Sequence, residues 1–82
     1  MNLAHNDLER LPDDFKELIE LKTLLLGYNR LEYFKSLPLD LQMLDLQHNH
    51  FKETLDITEL NKLLNLNLAF NKLNYLKGLS GT

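Results

Sequence analysis

The chain of 82 residues has no cysteine, no valine and no tryptophan, and it has few glycines and prolines. Small secreted domains are commonly held together by disulfides. None of the asparagines begins an Asn-x-Ser/Thr glycosylation acceptor. The first residues also lack the basic stretch followed by an apolar stretch that marks a signal peptide. These absences favour an intracellular, and most simply a cytoplasmic, protein.

The sequence also has no long apolar run and no excess of positive charge. No run approaches the roughly 20 residues that a membrane span needs. The formal net charge is −3 and the basic residues are scattered, whereas proteins that bind nucleic acids present a basic face to phosphates. We therefore expect a folded domain with neither a membrane nor a nucleic acid as its partner.

Leucine is abundant, and it recurs at fixed positions. Aligned on four asparagines, the chain repeats at intervals of 23, 20 and 22 residues. Residues 21–31, 41–51 and 63–73 follow the frame L-x-x-L-x-L-x-x-N-x-L, with Phe51 in the last position of the second copy. A shortened copy begins at Met1. The repeats span approximately residues 1–20, 21–40, 41–62 and 63–82.

This frame resembles that of the leucine-rich-repeat family, and the resemblance covers essentially the whole chain. It implies an α/β fold, a right-handed solenoid with a parallel β-sheet on its concave face. Short helical, 3₁₀ or extended limbs would return the chain from one strand to the next. The alternating x-L-x-L-x segments themselves predict strands with one buried face, stacked about 4.8 Å apart.

The repeated asparagine is expected to have a structural role. A side-chain amide is both a donor and an acceptor, so each asparagine can bind the backbone of its own coil and of a neighbouring coil. A buried polar group without a partner costs roughly 1–3 kcal/mol, so the hydrogen bonds of such a row would stabilise the fold. The row consists of Asn6, Asn29, Asn49 and Asn71.

The return limbs differ in length. Pro12 and the two acids after it predict a short helix or 3₁₀ segment in the first limb. The second limb, residues 34–40, is expected to be extended because Pro38 disfavours an α conformation before it. In the third limb, residues 53–60, a helical turn from Asp56 or Thr58 is expected. The last limb, residues 73–79, keeps an apolar spacing of three.

Neither end of the array shows the polar capping coil that repeat proteins need. This favours a fragment of a longer array without caps. The alternative is a minimal domain with atypical caps or one that self-associates end to end through its uncapped termini. The leucines then expected on exposed end faces are Leu3, Leu8, Leu73, Leu76 and Leu79.

The resemblance implies that binding takes place on the concave face, where residues between the leucines align in columns. The column before each asparagine is aromatic: His5, Tyr28, His48 and Phe70. Aromatic anchors are enriched at protein interfaces, although this position of the family often carries such residues whatever the ligand. A small apolar patch is expected where Leu25, Tyr28 and Met43 meet. The candidate partner-binding residues are Leu25, Tyr28, Arg30, Met43, Asp45, Gln47, His48, Asn67, Phe70 and Lys72.

No catalytic, cofactor or metal site is expected. His48 and His50 flank a structural asparagine at a turn, and His5 lies on the order of 10 Å away, too far to share a zinc ion. The adjacent acids Asp13 and Asp14 suit the first turn of a helix better than catalysis. Gly-rich phosphate loops and nucleophile motifs are missing.

Two functions are open at this point. The first is a protein–protein interaction module, not an enzyme, that binds a protein partner on the concave face. The alternative is a structural spacer of a larger multidomain signalling protein, linked to a kinase, phosphatase or ligase, whose surface columns bind nothing.

Overall fold

A computed structural model of the protein describes residues 1–11, 13–18, 20–34 and 37–77. Within these ranges the chain forms a single 3₁₀ helix and five strands, β1 to β5 in chain order. The 3₁₀ helix is Asp13–Glu17. The strands are β1 Thr23–Leu25, β2 Met43–Asp45, β3 Lys52–Asp56, β4 Asn65–Asn67 and β5 Lys72–Lys77.

The short strands of the leucine frame form a parallel sheet in the order β1-β2-β4. Leu24 pairs with Leu44, and Leu44 pairs with Leu66, so equivalent frame positions lie side by side. An isolated parallel bridge between Asn2 and Leu25 places the first coil in the same register. The predicted parallel sheet is therefore confirmed.

The core lies directly beneath this sheet. Leu24, Leu26, Leu44 and Leu46 are at most 1% exposed, as the alternation of the frame requires. Burying a leucine side chain stabilises a fold by about 1.5–3 kcal/mol. The other buried apolar residues are Phe15, Leu31, Leu37, Leu41, Phe51, Ile57 and Leu60.

The first return limb agrees with expectation, and the second is described only in part. Asp13–Glu17 is the 3₁₀ segment, while Pro12 lies outside the described residues. In the second limb, Leu37 and Pro38 are buried without helix or strand, and a turn follows at residues 39–40. Phe34 packs edge-to-face on Phe51, with ring centroids 6.1 Å apart.

The third limb differs from the predicted helical turn, because it begins with a strand, and so does the last limb. β3 and β5 pair in parallel, with an irregularity between Glu53 and Thr54 that accommodates their unequal lengths. Strand pairing here satisfies backbone groups that a helix would have satisfied within one limb. The helical turn expected from Asp56 is reduced to an Asx turn, in which Asp56 Oδ1 accepts from the Thr58 N–H at 2.9 Å, followed by non-helical turns.

The leucines expected on exposed end faces are less exposed than the sequence suggested. Leu3, Leu8 and Leu73 are partly buried and pack against the core. The side chain of Leu76 and the whole of Leu79 lie outside the described part of the chain.

Candidate protein-binding face

The repeated asparagines fix the turn that follows each strand of the sheet. Asn29 Nδ2 donates to the carbonyl of Leu26 in its own coil at 2.9 Å and to that of Leu3 in the preceding coil at 3.0 Å. Its Oδ1 accepts from the backbone N–H groups of Asn6 and Leu8, at 3.0 and 2.9 Å. One side chain therefore joins two coils.

Asn49 and Asn71 repeat this arrangement, so the row runs from coil to coil. Asn71 Nδ2 donates to Leu46 of the preceding coil at 2.8 Å, and its Oδ1 accepts from the Phe51 N–H at 3.1 Å. Asn29 and Asn49 are 5% exposed, whereas Asn71 is half-buried and Asn6 is exposed. The burial expected of the whole row thus applies to its two central members.

The aromatic column forms a continuous stack of rings. The centroids of His5 and Tyr28 are 4.3 Å apart, those of Tyr28 and His48 are 4.3 Å apart, and those of His48 and Phe70 are 4.1 Å apart. The planes of successive rings differ by 10–13°. Tyr28 is 42% exposed and Phe70 is 73% exposed. We call these four residues the ring column.

Each residue of the ring column has a left-handed backbone. The φ angles are 61° at His5, 59° at Tyr28, 53° at His48 and 61° at Phe70. This conformation costs a non-glycine residue roughly 1–2 kcal/mol. It turns the chain from the strand into the inward asparagine. Sequence reasoning did not foresee it because a positive φ is uncommon for any residue other than glycine, and Tyr and Phe do not favour it.

The polar side chains at the ends of the strands form hydrogen bonds within the chain. Asp45 Oδ1 accepts from the Gln47 N–H at 3.1 Å, and Asp45 Oδ2 accepts from Gln47 Nε2 at 2.9 Å. Asn67 Oδ1 accepts from the Ala69 N–H at 3.1 Å, and Asn2 does the same for Ala4 at 3.0 Å. These are Asx turns, a local role that the spacing of two residues in the sequence signals.

The column after each asparagine is exposed and charged. Arg30 Nε lies 3.7 Å from Asp7 Oδ1, with both side chains more than half exposed. His50 and Lys72 are also exposed. Along the chain, each member of the ring column precedes an asparagine of the row, and each member of this column follows one.

Two members of the expected apolar patch, Leu25 and Met43, lie on neighbouring strands but are not register partners. Met43 is 41% exposed and pairs with Thr23 and Asn65 on the neighbouring strands. Leu25 pairs with Asp45. Met43 is therefore only a diagonal neighbour of Leu25. Of the candidate residues, the structure brings Tyr28, His48 and Phe70 into one contiguous group and leaves Met43 apart from it.

An ion pair outside this face lowers the pKa of a carboxyl group. Lys62 Nζ lies 3.0 Å from Asp40 Oδ1. Its hydrogen bond and its positive charge lower the pKa of the Asp40 carboxyl, and the charge of Lys22 adds to the effect.

No helix among the described residues is long and apolar enough to cross a membrane. The same residues contain no group of three or more metal-ligating side chains placed to hold an ion.

Comparison with known proteins agrees with the repeat frame. A family model described as Leucine Rich Repeat matches residues 40–63. Osteomodulin of Rattus norvegicus is 37% identical over 81 residues, an alignment that covers 89% of this chain and 19% of osteomodulin. The chain thus spans about a fifth of the length of that relative. No solved structure gives a significant match. Together with the matching register of its strands, these similarities show that the chain belongs to the leucine-rich-repeat family.

Proposed function

We propose that this chain is a protein–protein interaction module and that the ring column is the centre of its binding face. Leucine-rich repeats generally mediate contacts between proteins. The proposal includes a right-handed solenoid with the β1-β2-β4 sheet on the concave side and the ring column at the rim of that sheet. It assigns no catalysis and no cofactor to the chain.

The observation that carries the proposal is the unbroken stack of four rings at 4.1–4.3 Å. A side chain that is already ordered loses little conformational entropy when a partner binds. Each ring of the column is held by its neighbours and by a fixed backbone turn. Such preorganised, partly exposed aromatic residues are typical of interface anchors.

The residues that precede the ring column are small or polar, and one of them packs tightly between two coils. Each ring residue follows one of Ala4, Gly27, Gln47 and Ala69. Gly27 is buried, and a Cβ added there would lie 3.1 Å from Gln47 Cγ. The side chain of Gln47 therefore fills the space beside Gly27, and a larger residue at position 27 would disturb the packing between these two coils.

The test replaces Tyr28 and Phe70 together by asparagine, a residue that accepts a left-handed backbone. The asparagine variant therefore removes the rings but keeps the left-handed turn. The matched control replaces Tyr33 and Leu64, which are 60% and 77% exposed outside the ring column. Immobilised protein is used to capture partners from a cell extract, with wild-type and both variants compared band by band.

We expect the Tyr28/Phe70 variant to lose proteins that the wild-type and control variants retain. If all three retain the same proteins, the ring column is not the binding face. If none of them captures a protein, the spacer alternative is favoured. The intracellular, cytoplasmic setting stays part of the proposal. Fractionation of cells that express the natural protein tests it separately.

A further inference from the structure

The stacking of the ring column determines which part of each ring a partner can reach. Tyr28 has His5 on one face and His48 on the other, and His48 has Tyr28 and Phe70. The faces of these two inner rings are therefore covered. Ligands that bind aromatic faces, such as quaternary ammonium groups, arginine side chains and sugars, have no access to them.

The ring edges remain, and their chemistry favours acceptors and anions. The edge of an aromatic ring is the positive part of its quadrupole. The hydroxyl of Tyr28 forms no hydrogen bond within the described part of the chain, and each imidazole carries at least one N–H donor. The ring column thus presents donors and positive ring edges, which match carboxylates better than cations.

Positive charge lies beside the same two coils. Lys52 and Lys72 are register partners in the β3–β5 pair, so their backbones are about 4.8 Å apart. Both side chains are exposed and neither forms an ion pair within the described residues. Exposed His50 lies two residues before Lys52. We call Lys52, Lys72 and His50 the basic cluster.

Exposed acids lie in the earlier coils and also in the third coil, where Asp56 and Glu59 follow Lys52 by four and seven residues. Asp7 lies 3.7 Å from Arg30, and Glu9 and Glu32 are exposed in the earlier coils. Asp45 already accepts from Gln47. The adjacent Lys52 and Lys72 therefore place two positive charges side by side on a chain whose formal net charge is −3.

We propose that the partner segment recognised here is an acidic peptide, whose carboxylates bind the basic cluster and the edges of His48 and Tyr28. This inference rests on the proposed function, since it specifies what the ring column binds. Charge complementarity also fixes the position, because the acidic residues of the earlier coils repel such a segment.

The experiment measures the binding of a fluorescein-labelled oligo-glutamate peptide to the whole chain by fluorescence anisotropy. Oligo-glutamine and oligo-lysine peptides and an oligothymidylate, all of equal length, serve as comparisons. The test variant is Lys52→Glu with Lys72→Glu. The control is Lys16→Glu, an exposed lysine in the 3₁₀ helix. Circular dichroism establishes that each variant is folded.

We expect oligo-glutamate to bind more tightly than the other probes, and more weakly as salt is raised. The double variant should weaken binding about tenfold or more, with Lys16→Glu changing it little. The proposal is overturned if oligo-glutamine binds equally, if oligothymidylate binds as tightly, or if the double variant retains affinity.

The two proposals fail in different ways. If the Tyr28/Phe70 variant loses its captured proteins while the Lys52/Lys72 variant keeps them, the ring column is the binding face and the acidic partner is wrong. If neither variant loses captured proteins and oligo-glutamate binds no better than oligo-glutamine, both proposals are wrong.

Discussion

The side chain of Asn49 reaches the preceding coil, where its Nδ2 donates to the carbonyl of Leu26 at 2.9 Å. The same atom donates to Leu46 of its own coil at 3.1 Å, and Asn49 Oδ1 accepts from the Leu31 N–H at 3.0 Å. The strands end before these backbone groups, so no strand pairing satisfies them. A single buried amide therefore connects the two coils at the point where the chain turns.

Asn49→Ala is expected to destabilise the protein by about 2 kcal/mol or more. It leaves the buried Leu31 N–H without its acceptor, while the carbonyls of Leu26 and Leu46 keep bonds from Asn29 and Asn71. The matched control is Asn6→Ala, at an exposed position whose Nδ2 donates to Leu3, with an expected cost of about 1 kcal/mol or less. Urea denaturation measures both. Equal losses of stability would contradict the assignment of the row to two coils.

The left-handed backbone at Tyr28, with φ of 59°, leads to a second prediction. Valine is branched at Cβ and is a genuine outlier in this region, whereas asparagine tolerates it. Both substitutions remove the ring and its stacking. We expect Tyr28→Val to be less stable than Tyr28→Asn by about 1–2 kcal/mol in thermal or urea unfolding. Equal stability of the two variants would mean that the turn does not need this conformation.

The Asp40–Lys62 pair predicts a titration shift that NMR can follow. The hydrogen bond from Lys62 and its charge hold the pKa of Asp40 below the ordinary value. A carboxyl whose pKa is lowered by folding stabilises the folded state above its unfolded pKa of about 3.9. This contribution is lost as the pH falls through the folded pKa.

Lys62→Met should therefore raise the pKa of Asp40 towards the ordinary value. Lys16→Met, which removes a lysine that does not act on Asp40, should leave it unchanged. Titration of the Asp40 carboxyl carbon in the three proteins provides the comparison. A pKa that does not respond to Lys62→Met would show that the ion pair does not persist in solution.

The sheet and its core were predictable because they depend on a pattern of period two that repeats in register. Leu24 and Leu44 are buried wherever the alternation places them, and the spacing of the frame aligns Leu44 with Leu66. The hydrophobicity of these residues alone is enough to predict that they are buried. No contact outside the frame is needed to place them.

Features that depend on backbone conformation or on pairing between limbs were not predictable in this way. The left-handed turn at Phe70 is imposed by the inward asparagine that follows, against the preference of phenylalanine. The strand at Lys52–Asp56 exists because Lys72–Lys77 lies beside it, a contact between distant residues. Asp45 was predicted as a candidate partner-binding residue, and the pattern did not predict that its oxygens accept hydrogen bonds from Gln47.

The contrast between Leu46 and Asp45 tests the strand register directly. Leu46 is fully buried, and Leu46→Ala should cost about 2–5 kcal/mol. Asp45 is its partly exposed neighbour, and Asp45→Ala should cost about 1 kcal/mol because the Gln47 N–H loses its acceptor. Asp45→Asn keeps an acceptor oxygen and should be nearly neutral. Urea unfolding of the three variants gives the order. If Asp45→Ala is as damaging as Leu46→Ala, both side chains are buried and the assigned register is wrong. If Asp45→Asn is as damaging as Asp45→Ala, the negative charge matters more than the Asx turn.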